Sequence, residues 1–333
     1  MTLVIAEAGV NHNGDIGLAK ELIYAAKESG ADIVKFQTFK TELGISTNTP
    51  LAPYQAKKSD SFINQYELVK KLELEFDSFF ELKECAEKSN IEFLSTAFDL
   101  PSIKLLADLN LKRHKIPSGE IDNYPYLREI SKLGKPIILS TGMSNLSEIE
   151  FALNTLIKYG TERSKITVMH CVTEYPAPIN FVNLNAMKTI SDSFNVEVGY
   201  SDHTEGIYVP ISAAILGAKI IEKHLTLDRK MEGPDHLASI EPSEFKKMTT
   251  FIKRAKMVLG DGVKEPKQCE LKNIKIVRKS IFAKTFIRKG EMFTEKNLIT
   301  KRPGKGISPR YWNSLIGKIS KNDYLPDEII KWQ

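Results

Sequence analysis

Eight short apolar runs alternate with amphipathic segments over the first 226 residues, and this alternation limits the fold more than any other feature of the chain. The runs are apolar almost throughout and contain many β-branched residues, which is typical of buried parallel strands. They are Leu3–Val10, Asp32–Phe39, Ile91–Phe98, His114–Ser118, Pro136–Met143, Ile166–Val172, Val196–Tyr200 and Ala218–Thr226. The segments between them place apolar residues at helical spacing, as in Ile16–Ser29, Phe76–Ser89, Ser147–Tyr159 and Ile207–Leu216.

Eight strand–helix units over about 260 residues predict an α/β fold, a (β/α)₈ TIM barrel. The main alternative is an open doubly wound sheet. Such a sheet usually has a glycine-rich phosphate turn after its first strand, and Gly9 and Gly14 do not form one. The longest gap, Lys40–Leu74, is rich in Ser, Thr, Pro and Lys and predicts a long functional or mobile loop.

The sequence changes character after the helical pattern of Pro242–Leu259. A polar, lysine-rich stretch follows, and then brief strand-like runs separated by turns. We therefore predict a barrel domain over residues 1–262, a linker over 263–279 and a small, turn-rich domain over 280–333.

Positive charge is concentrated at the C-terminal end. Residues 261–333 contain 17 Lys and Arg against 8 Asp and Glu, a net charge of +9, whereas residues 1–260 carry −4. This excess indicates an anionic partner, which could be nucleic acid, a phosphate-bearing substrate or the barrel itself, or else a solvated face without a specific partner.

The cysteine pattern and hydropathy indicate a cytoplasmic protein. Cys85, Cys171 and Cys269 are too widely spaced for a CxxC metal site and odd in number for a disulfide framework. The chain has no run of about 20 apolar residues and no basic, apolar leader at its start. We expect reduced thiols and no membrane partner.

Polar residues stand at the C-terminal ends of all eight predicted strands, where barrel enzymes place their chemistry. Burying so many ionisable groups without partners would be costly, so the set predicts an active site. Its members are Glu7, Lys35, Gln37, Thr96, Lys115, Ser118, Glu120, Thr173, Tyr175, Ser201, His203, Glu222 and His224.

His203 and His224 end neighbouring strands, so their imidazoles can converge on a transition metal, with Glu222 as a ligand or a supporting residue. Imidazole favours Mn²⁺, Zn²⁺ or Fe²⁺ over Mg²⁺. A purely structural histidine pair is the alternative.

The remaining strand ends suit an anionic substrate. Lys35 and Lys115, with the hydroxyls of Thr96, Ser118 and Ser201, predict a cationic floor for phosphate or carboxylate. Glu7 and Glu120 add carboxylates for hydroxyl recognition or proton transfer. For Glu7, a salt bridge to Lys35 or Lys115 is the alternative.

Ten blocks together resemble the sialic acid synthase family, in order and across nearly the whole chain. They are AEAGVNHNG (6–14), VKFQTF (34–39), FLSTAFD (93–99), KIPSGE (115–120), ILSTGM (138–143), HCVTEYPAP (170–178), GYSDHT (199–204), EKHLT (222–226), GPDH (233–236) and KRPGKGI (301–307). The family has a TIM barrel followed by a small antifreeze-like (SAF) domain.

The resemblance implies an enzyme that condenses phosphoenolpyruvate and water with an N-acetylated hexosamine, releasing phosphate. The first expectation is N-acetylmannosamine as substrate and N-acetylneuraminate as product. Legionaminic and pseudaminic acid synthases share these blocks but take 2,4-diacetamido-trideoxy sugars, which is the alternative. More distant alternatives are a Schiff-base aldolase using Lys35 or Lys115, and a polyanion-binding protein.

The resemblance also assigns roles to individual residues. It implies that His203 and His224 hold a divalent metal, Mn²⁺ with Mg²⁺ or Co²⁺ as substitutes, and that Glu120 is the acid/base. The expected phosphoenolpyruvate site comprises Lys35, Thr96, Lys115, Ser118, Thr173 and Ser201. The expected sugar site comprises Glu7, Gln37, Tyr175 and Asp235.

Arg302 in the small domain matches an arginine that reaches the sugar's N-acetyl group. The family pairs head to tail, so the resemblance implies a domain-swapped homodimer in which Arg302 acts in the partner's site, with no nucleic acid. Three positions depart from the common pattern: Ala97 and Pro117, and Thr173 where some members have asparagine.

Overall fold

The computed structural model describes residues 2–51 and 64–332, which fall into two compact units divided at Gly260. In the first unit, eight parallel strands follow one another in chain order and close into a barrel, with β8 hydrogen-bonded to β1. The strands are β1 (Leu3–Gly9), β2 (Ile33–Thr38), β3 (Glu92–Ala97), β4 (His114–Ile116), β5 (Ile137–Ser140), β6 (Ile166–Cys171), β7 (Glu197–Asp202) and β8 (Ile220–His224). The predicted TIM barrel is confirmed.

Helices surround the barrel and bury the outer faces of the strands, which explains why the strand sequences are apolar on both faces. The main ones are Ile16–Glu28, Phe76–Lys88, Leu100–Asp108, Tyr124–Ser131, Leu146–Lys158, Asn185–Phe194, Tyr208–Ile215 and Pro242–Leu259. Side-chain caps fix several of their starts. Asp15 accepts hydrogen bonds from the amides of Gly17 and Leu18, and Asn145 forms a capping box with Glu148.

All eight strands differ in their bounds from the predicted runs, and β4 and β7 show the physical reasons most clearly. Strand β4 stops at Ile116 because Pro117 has no amide hydrogen with which to continue the ladder, and a 3₁₀ turn, Ser118–Glu120, follows. Strand β7 continues to Asp202 because Ser201 and Asp202 still pair with β8. The prediction ended this strand at Tyr200 because it followed apolar residues, and Ser201 and Asp202 are polar.

The predicted loop Lys40–Leu74 contains helices in its described parts. They are Thr41–Gly44 and Gln65–Leu72, and Asn64 caps the second by accepting from the amide of Glu67. Residues 52–63 of that predicted loop lie outside the described residues.

The second unit is built on the antiparallel pair β9 (Ser280–Ala283) and β10 (Leu298–Lys301), with a short helix at Trp312–Leu315. Its own apolar core includes Ile281, Phe293 and Tyr324.

The predicted linker 263–279 is not an extended chain. It includes the helix Leu271–Val277, and the amide of Gly304 donates to the carbonyl of Lys275 at 3.0 Å, which ties the helix to the rest of the second unit. Because a helix rises only about 1.5 Å per residue, this segment reaches less far than an extended one. None of the helices in residues 2–51 and 64–332 combines the length and apolarity needed to cross a membrane.

Gly199 provides a test of the barrel interior. A Cβ at this position would lie 2.3 Å from the sulfur of Met169 and 2.6 Å from the carbonyl oxygen of Ile220. We predict that Gly199→Ala lowers the free energy of unfolding by about 1–3 kcal/mol, measured by thermal denaturation. At Gly119 a Cβ would meet nothing within 4 Å, so Gly119→Ala is the matched control. Equal melting temperatures for the two variants would contradict this packing.

Candidate active site

A cavity of about 670 Å³ lies at the C-terminal ends of the barrel strands. All fourteen site residues predicted within the barrel line it: Glu7, Lys35, Gln37, Thr96, Lys115, Ser118, Glu120, Thr173, Tyr175, Ser201, His203, Glu222, His224 and Asp235. Closure of the barrel therefore brings together residues that are up to 228 positions apart in the sequence.

Arg302 is the one predicted site residue that belongs to the second unit. It directly follows β10 and its side chain is exposed. Its role at the site stays a prediction.

The floor of the cavity is a row of four buried charges. The Nζ of Lys35 lies 2.7 Å from Oε2 of Glu7 and 3.9 Å from Oε2 of Glu222. The Nζ of Lys115 donates to both oxygens of Glu222, at 2.8 and 3.0 Å. All four residues are at most 3% exposed. Two positive and two negative groups balance, so the floor is not the cationic surface that the sequence predicts.

These contacts decide two alternatives that the sequence left open. Glu7 and Lys35 are direct partners in the β1–β2 ladder, so the salt bridge that was the alternative for Glu7 is present. Glu222 binds Lys115 and accepts a hydrogen bond from the Ser201 hydroxyl at 3.0 Å, so its carboxylate is part of the floor. The spacing of residues along β8 predicted the face on which Glu222 lies, but it could not predict which residues Glu222 would contact.

The two floor carboxylates differ in their affinity for a proton. Burial would raise the pKa of Glu222, but Lys115 and Lys35 together hold it at about 2. Burial raises the pKa of Glu7, and the attraction of Lys35 only partly offsets this. Glu7 is therefore the floor carboxylate that more readily takes up a proton.

His203 and His224 meet on one wall of the cavity, with their ring centroids 5.5 Å apart. The Nδ1 of His203 lies 2.5 Å from the carbonyl oxygen of Val172, which assigns a proton to Nδ1 and leaves the lone pair on Nε2. The Nδ1 of His224 is buried without a hydrogen-bond partner. Burial lowers the pKa of His203 to about 4 and that of His224 well below its ordinary value, so both rings are neutral.

Two neutral imidazoles with converging positions fit the donor set of a transition metal. The unsatisfied, buried Nδ1 of His224 supports this fit, because a bound cation would satisfy it. In the part of the chain that the structure describes, no three His, Cys, Asp or Glu side chains are grouped to hold a metal.

Tyr175 and Asp235 complete the histidine wall. The Tyr175 ring lies 4.1 Å from the His203 ring and 5.7 Å from the His224 ring, measured between centroids. The amide of Ala177 donates to the carbonyl of His203 at 2.9 Å and holds this loop in place. Asp235 Oδ2 is 3.8 Å from Nδ1 of His224.

Glu120 lies on the 3₁₀ turn that follows β4, whereas the two histidines lie at the ends of β7 and β8. Burial raises the pKa of its carboxyl, and a 2.5 Å hydrogen bond from the Asn123 amide partly counteracts the rise. Ser118 on the same turn accepts from the amide of Gly142 at 2.9 Å. Gln37 donates to Glu7 at 3.1 Å.

An apolar wall also lines the cavity, and the sequence analysis missed it. We define this apolar wall as Val10, Phe39, Leu68, Leu72 and Phe98, which also pack against one another in part. Leu68 and Leu72 come from the helix Gln65–Leu72. Their spacing of four residues was a usable signal for a helix, but it lies in a stretch whose polar composition indicated a loop.

The fold and the cavity define a barrel enzyme with an appended small domain. The sequence model of the NeuB family matches residues 22–264, and that of the SAF domain matches residues 278–333. The chain belongs to the NeuB family and is an enzyme of the sialic acid synthase type.

Relatives cover nearly the whole chain. An N,N'-diacetyllegionaminic acid synthase of Campylobacter jejuni is 56% identical over 330 residues, 99% of each chain. That of Legionella pneumophila is 47% identical over 322 residues, 96% of this chain and 90% of the other. The crystal structure of the N-acetylneuraminic acid synthetase of Leptospira borgpetersenii has a TM-score of 0.72 and 36% identity, covering 82% of this chain and 90% of the other.

The proton affinity of Glu120 is open to test through Asn123. We predict that Asn123→Ser raises the pKa of Glu120 further, because it removes a hydrogen bond to the carboxylate worth about 1 kcal/mol. Serine still provides an oxygen at the N-cap of helix Tyr124–Ser131, where Asn123 now accepts from the Tyr126 amide. The measurement is a carbon NMR titration of the glutamate carboxyls, with Glu120→Gln to assign the resonance. An unchanged or lower pKa would contradict the assigned contact.

Proposed function

We propose that this protein condenses phosphoenolpyruvate with a 2,4-diacetamido-trideoxyhexose and water, giving a diacetyllegionaminic-type acid and phosphate. The observation that carries the proposal is a single cavity in which two buried lysines stand beside two neutral, converging histidines. Lysines suit the anionic substrate, and neutral imidazoles suit a metal that activates the sugar.

The choice of sugar differs from the first expectation of N-acetylmannosamine. The two legionaminic acid synthases named above share more of this sequence than the sialic acid synthetase does. The apolar wall supports the same choice, because a deoxy carbon and a second acetyl group present methyl groups where N-acetylmannosamine presents hydroxyls. We therefore prefer the alternative that the sequence left open.

Phosphoenolpyruvate would bind by exchange of ionic partners. Its phosphate and carboxylate would replace the carboxylates of Glu7 and Glu222 at Lys35 and Lys115. The hydroxyls of Thr96, Ser118 and Ser201 line the same region and supply further donors.

In the proposed reaction, C3 of phosphoenolpyruvate bonds to the aldehyde carbon of the open-chain sugar. The aldehyde oxygen takes up a proton and becomes a hydroxyl. Water adds to the electron-deficient C2 and loses a proton, and the bond from C2 to the phosphate oxygen then breaks as the C2 hydroxyl becomes the keto group and its proton leaves with the phosphate. Glu120, with its raised pKa, can hold the proton that the new hydroxyl receives. Glu7, Gln37, Tyr175 and Asp235 would orient the sugar.

A divalent metal, Mn²⁺ with Mg²⁺ or Co²⁺ as substitutes, would be held by His203 and His224 and would act as a Lewis acid on the aldehyde. The chain prepares this site through the proton on Nδ1 of His203, which the Val172 carbonyl fixes. Both rings stay neutral because they are buried.

A Schiff-base aldolase is less well supported. Its lysine must be a neutral amine before it attacks a carbonyl. Burial would lower the pKa of Lys35, but Glu222 and Glu7 together raise it, so this amine stays protonated. Borohydride trapping of pyruvate on the protein would support the aldolase instead.

Phosphate release tests the proposed substrate. We predict that kcat/KM for the 2,4-diacetamido-trideoxyhexose exceeds that for N-acetylmannosamine by about tenfold or more, since each small group read in a pocket contributes about 1–3 kcal/mol. Stereoisomers of the diacetamido sugar serve as controls for the pseudaminic alternative. A higher kcat/KM for N-acetylmannosamine would overturn the choice of sugar.

The role of Lys115 predicts a separable effect on the two substrates. Lys115→Met removes a charge-assisted contact worth about 1.5–3 kcal/mol, so KM for phosphoenolpyruvate should rise about tenfold or more. The KM for the sugar should change little. Lys132→Met, which removes an exposed ion pair with Glu129, is the control and should leave both constants unchanged. An effect on the sugar alone would refute the assignment.

We also propose a domain-swapped homodimer in which Arg302 of one chain completes the partner's site. The opposite charges of the two parts of the sequence, +9 and −4, support such pairing. Mixing inactive Arg302→Ala and His203→Ala chains should restore activity, because one site per mixed dimer combines an intact barrel with an intact Arg302. Half of the activity of a normal dimer is expected. No recovery despite demonstrated subunit exchange would exclude action in trans.

A further inference from the structure

A fully buried ion pair lies directly behind the two histidines. Asp202 and Lys223 immediately precede His203 and His224, and both of their side chains are 0% exposed. Their Cα atoms are partners in the β7–β8 ladder. Neither residue lines the cavity, whereas the residues on both sides of each do. Because side chains alternate along a strand, the pair faces away from the cavity, toward the surrounding helices.

The hydrogen bonds of this pair connect the two histidine positions. The Nζ of Lys223 lies 2.6 Å from Oδ2 of Asp202 and also donates to the carbonyl of Thr204. The amide and hydroxyl of Thr204 donate to Oδ1 of Asp202, at 3.1 and 2.9 Å. The residues before and after His203 are thus both bound to the residue that precedes His224.

Stability alone does not account for such a pair. Removing two charges from water costs several kcal/mol each, and an apolar pair of similar volume is often equally or more stable. A buried, hydrogen-bonded ion pair does fix the relative position of the two backbone segments that carry it, because its hydrogen bonds can all form in only one arrangement. Here that arrangement sets how the ends of β7 and β8 lie against each other.

We propose that Asp202 and Lys223 are positioning residues that set the distance and orientation between His203 and His224. The inference rests on the proposed role of these histidines in metal binding. Metal–nitrogen distances tolerate only about 0.2 Å of error, so a small relative movement of the two strand ends weakens a site with two protein ligands. Changes in residues that support metal ligands typically cost about 10- to 100-fold in affinity.

The test is a double variant that removes both charges together. Asp202→Leu/Lys223→Met leaves no lone buried charge and keeps the buried volume similar. We expect its melting temperature to stay near that of the unaltered protein, while the Kd for Mn²⁺, measured by EPR of the free ion, rises about 10- to 100-fold. The kcat should fall, and KM for phosphoenolpyruvate should change little.

A second ion pair, which is partly exposed, gives a control for the loss of two opposite charges elsewhere in the barrel. Lys253 and Asp32 lie 3.3 Å apart and join the helix Pro242–Leu259 to the start of β2, away from the cavity residues. Asp32→Leu/Lys253→Met should leave the Kd for Mn²⁺ unchanged, whatever it does to the melting temperature. If the Asp202→Leu/Lys223→Met protein does not fold, Asp202→Asn/Lys223→Met is measured instead, because it keeps an acceptor for Thr204 and still leaves no lone buried charge.

Three results would overturn the proposal, and one of them would also exclude the metal site. A folded double variant with a Kd for Mn²⁺ within about twofold of the original removes the positioning role alone, provided that His203→Ala weakens Mn²⁺ binding. If His203→Ala leaves Mn²⁺ binding unchanged, the metal site and the positioning role both fail. An equal loss of Mn²⁺ affinity in the Lys253 control would also refute the proposal, because it would reflect general destabilisation.

Discussion

Closure of the strand ladder between β1 and β8 is the constraint on which the site depends. It places Glu7 directly opposite His224, while the β1–β2 ladder places Glu7 opposite Lys35. The first and last strands of the barrel thereby supply neighbouring parts of one site. A shift of one residue in either ladder would turn these side chains from the cavity toward the helices. The hydrogen bonds that close the barrel therefore also fix the positions of the side chains in the cavity.

The site combines charges that are satisfied before substrate arrives. Each lysine of the floor already has a carboxylate, and each histidine is neutral because of its burial. The barrel can therefore bury these groups without leaving an unpaired charge in its interior. A ligand is then recognised by how well its charged groups replace the carboxylates that bind the two lysines. The apolar wall can contact only apolar parts of a ligand.

The sequence predicted the fold, and every residue that it proposed for the site within the barrel lines the cavity, because both depend on periodicity and on strand ends. Lys115 and His224 had to face the cavity once their strands were recognised. The pairing of charges could not be predicted, since it depends on which strands are neighbours and on their register. The helix Gln65–Leu72 was missed because polar residues surround Leu68 and Leu72, and the helix Leu271–Val277 because it buries no side chain.

The balance of the floor has a consequence for how ligands arrive. A row of two lysines and two glutamates projects little net field beyond the screening length of about 8 Å at physiological salt. Anions near the barrel are therefore not drawn to this row from a distance, and they are recognised only on contact. The rate of capture should then follow ordinary diffusion and orientation, with a weak dependence on ionic strength, rather than electrostatic steering.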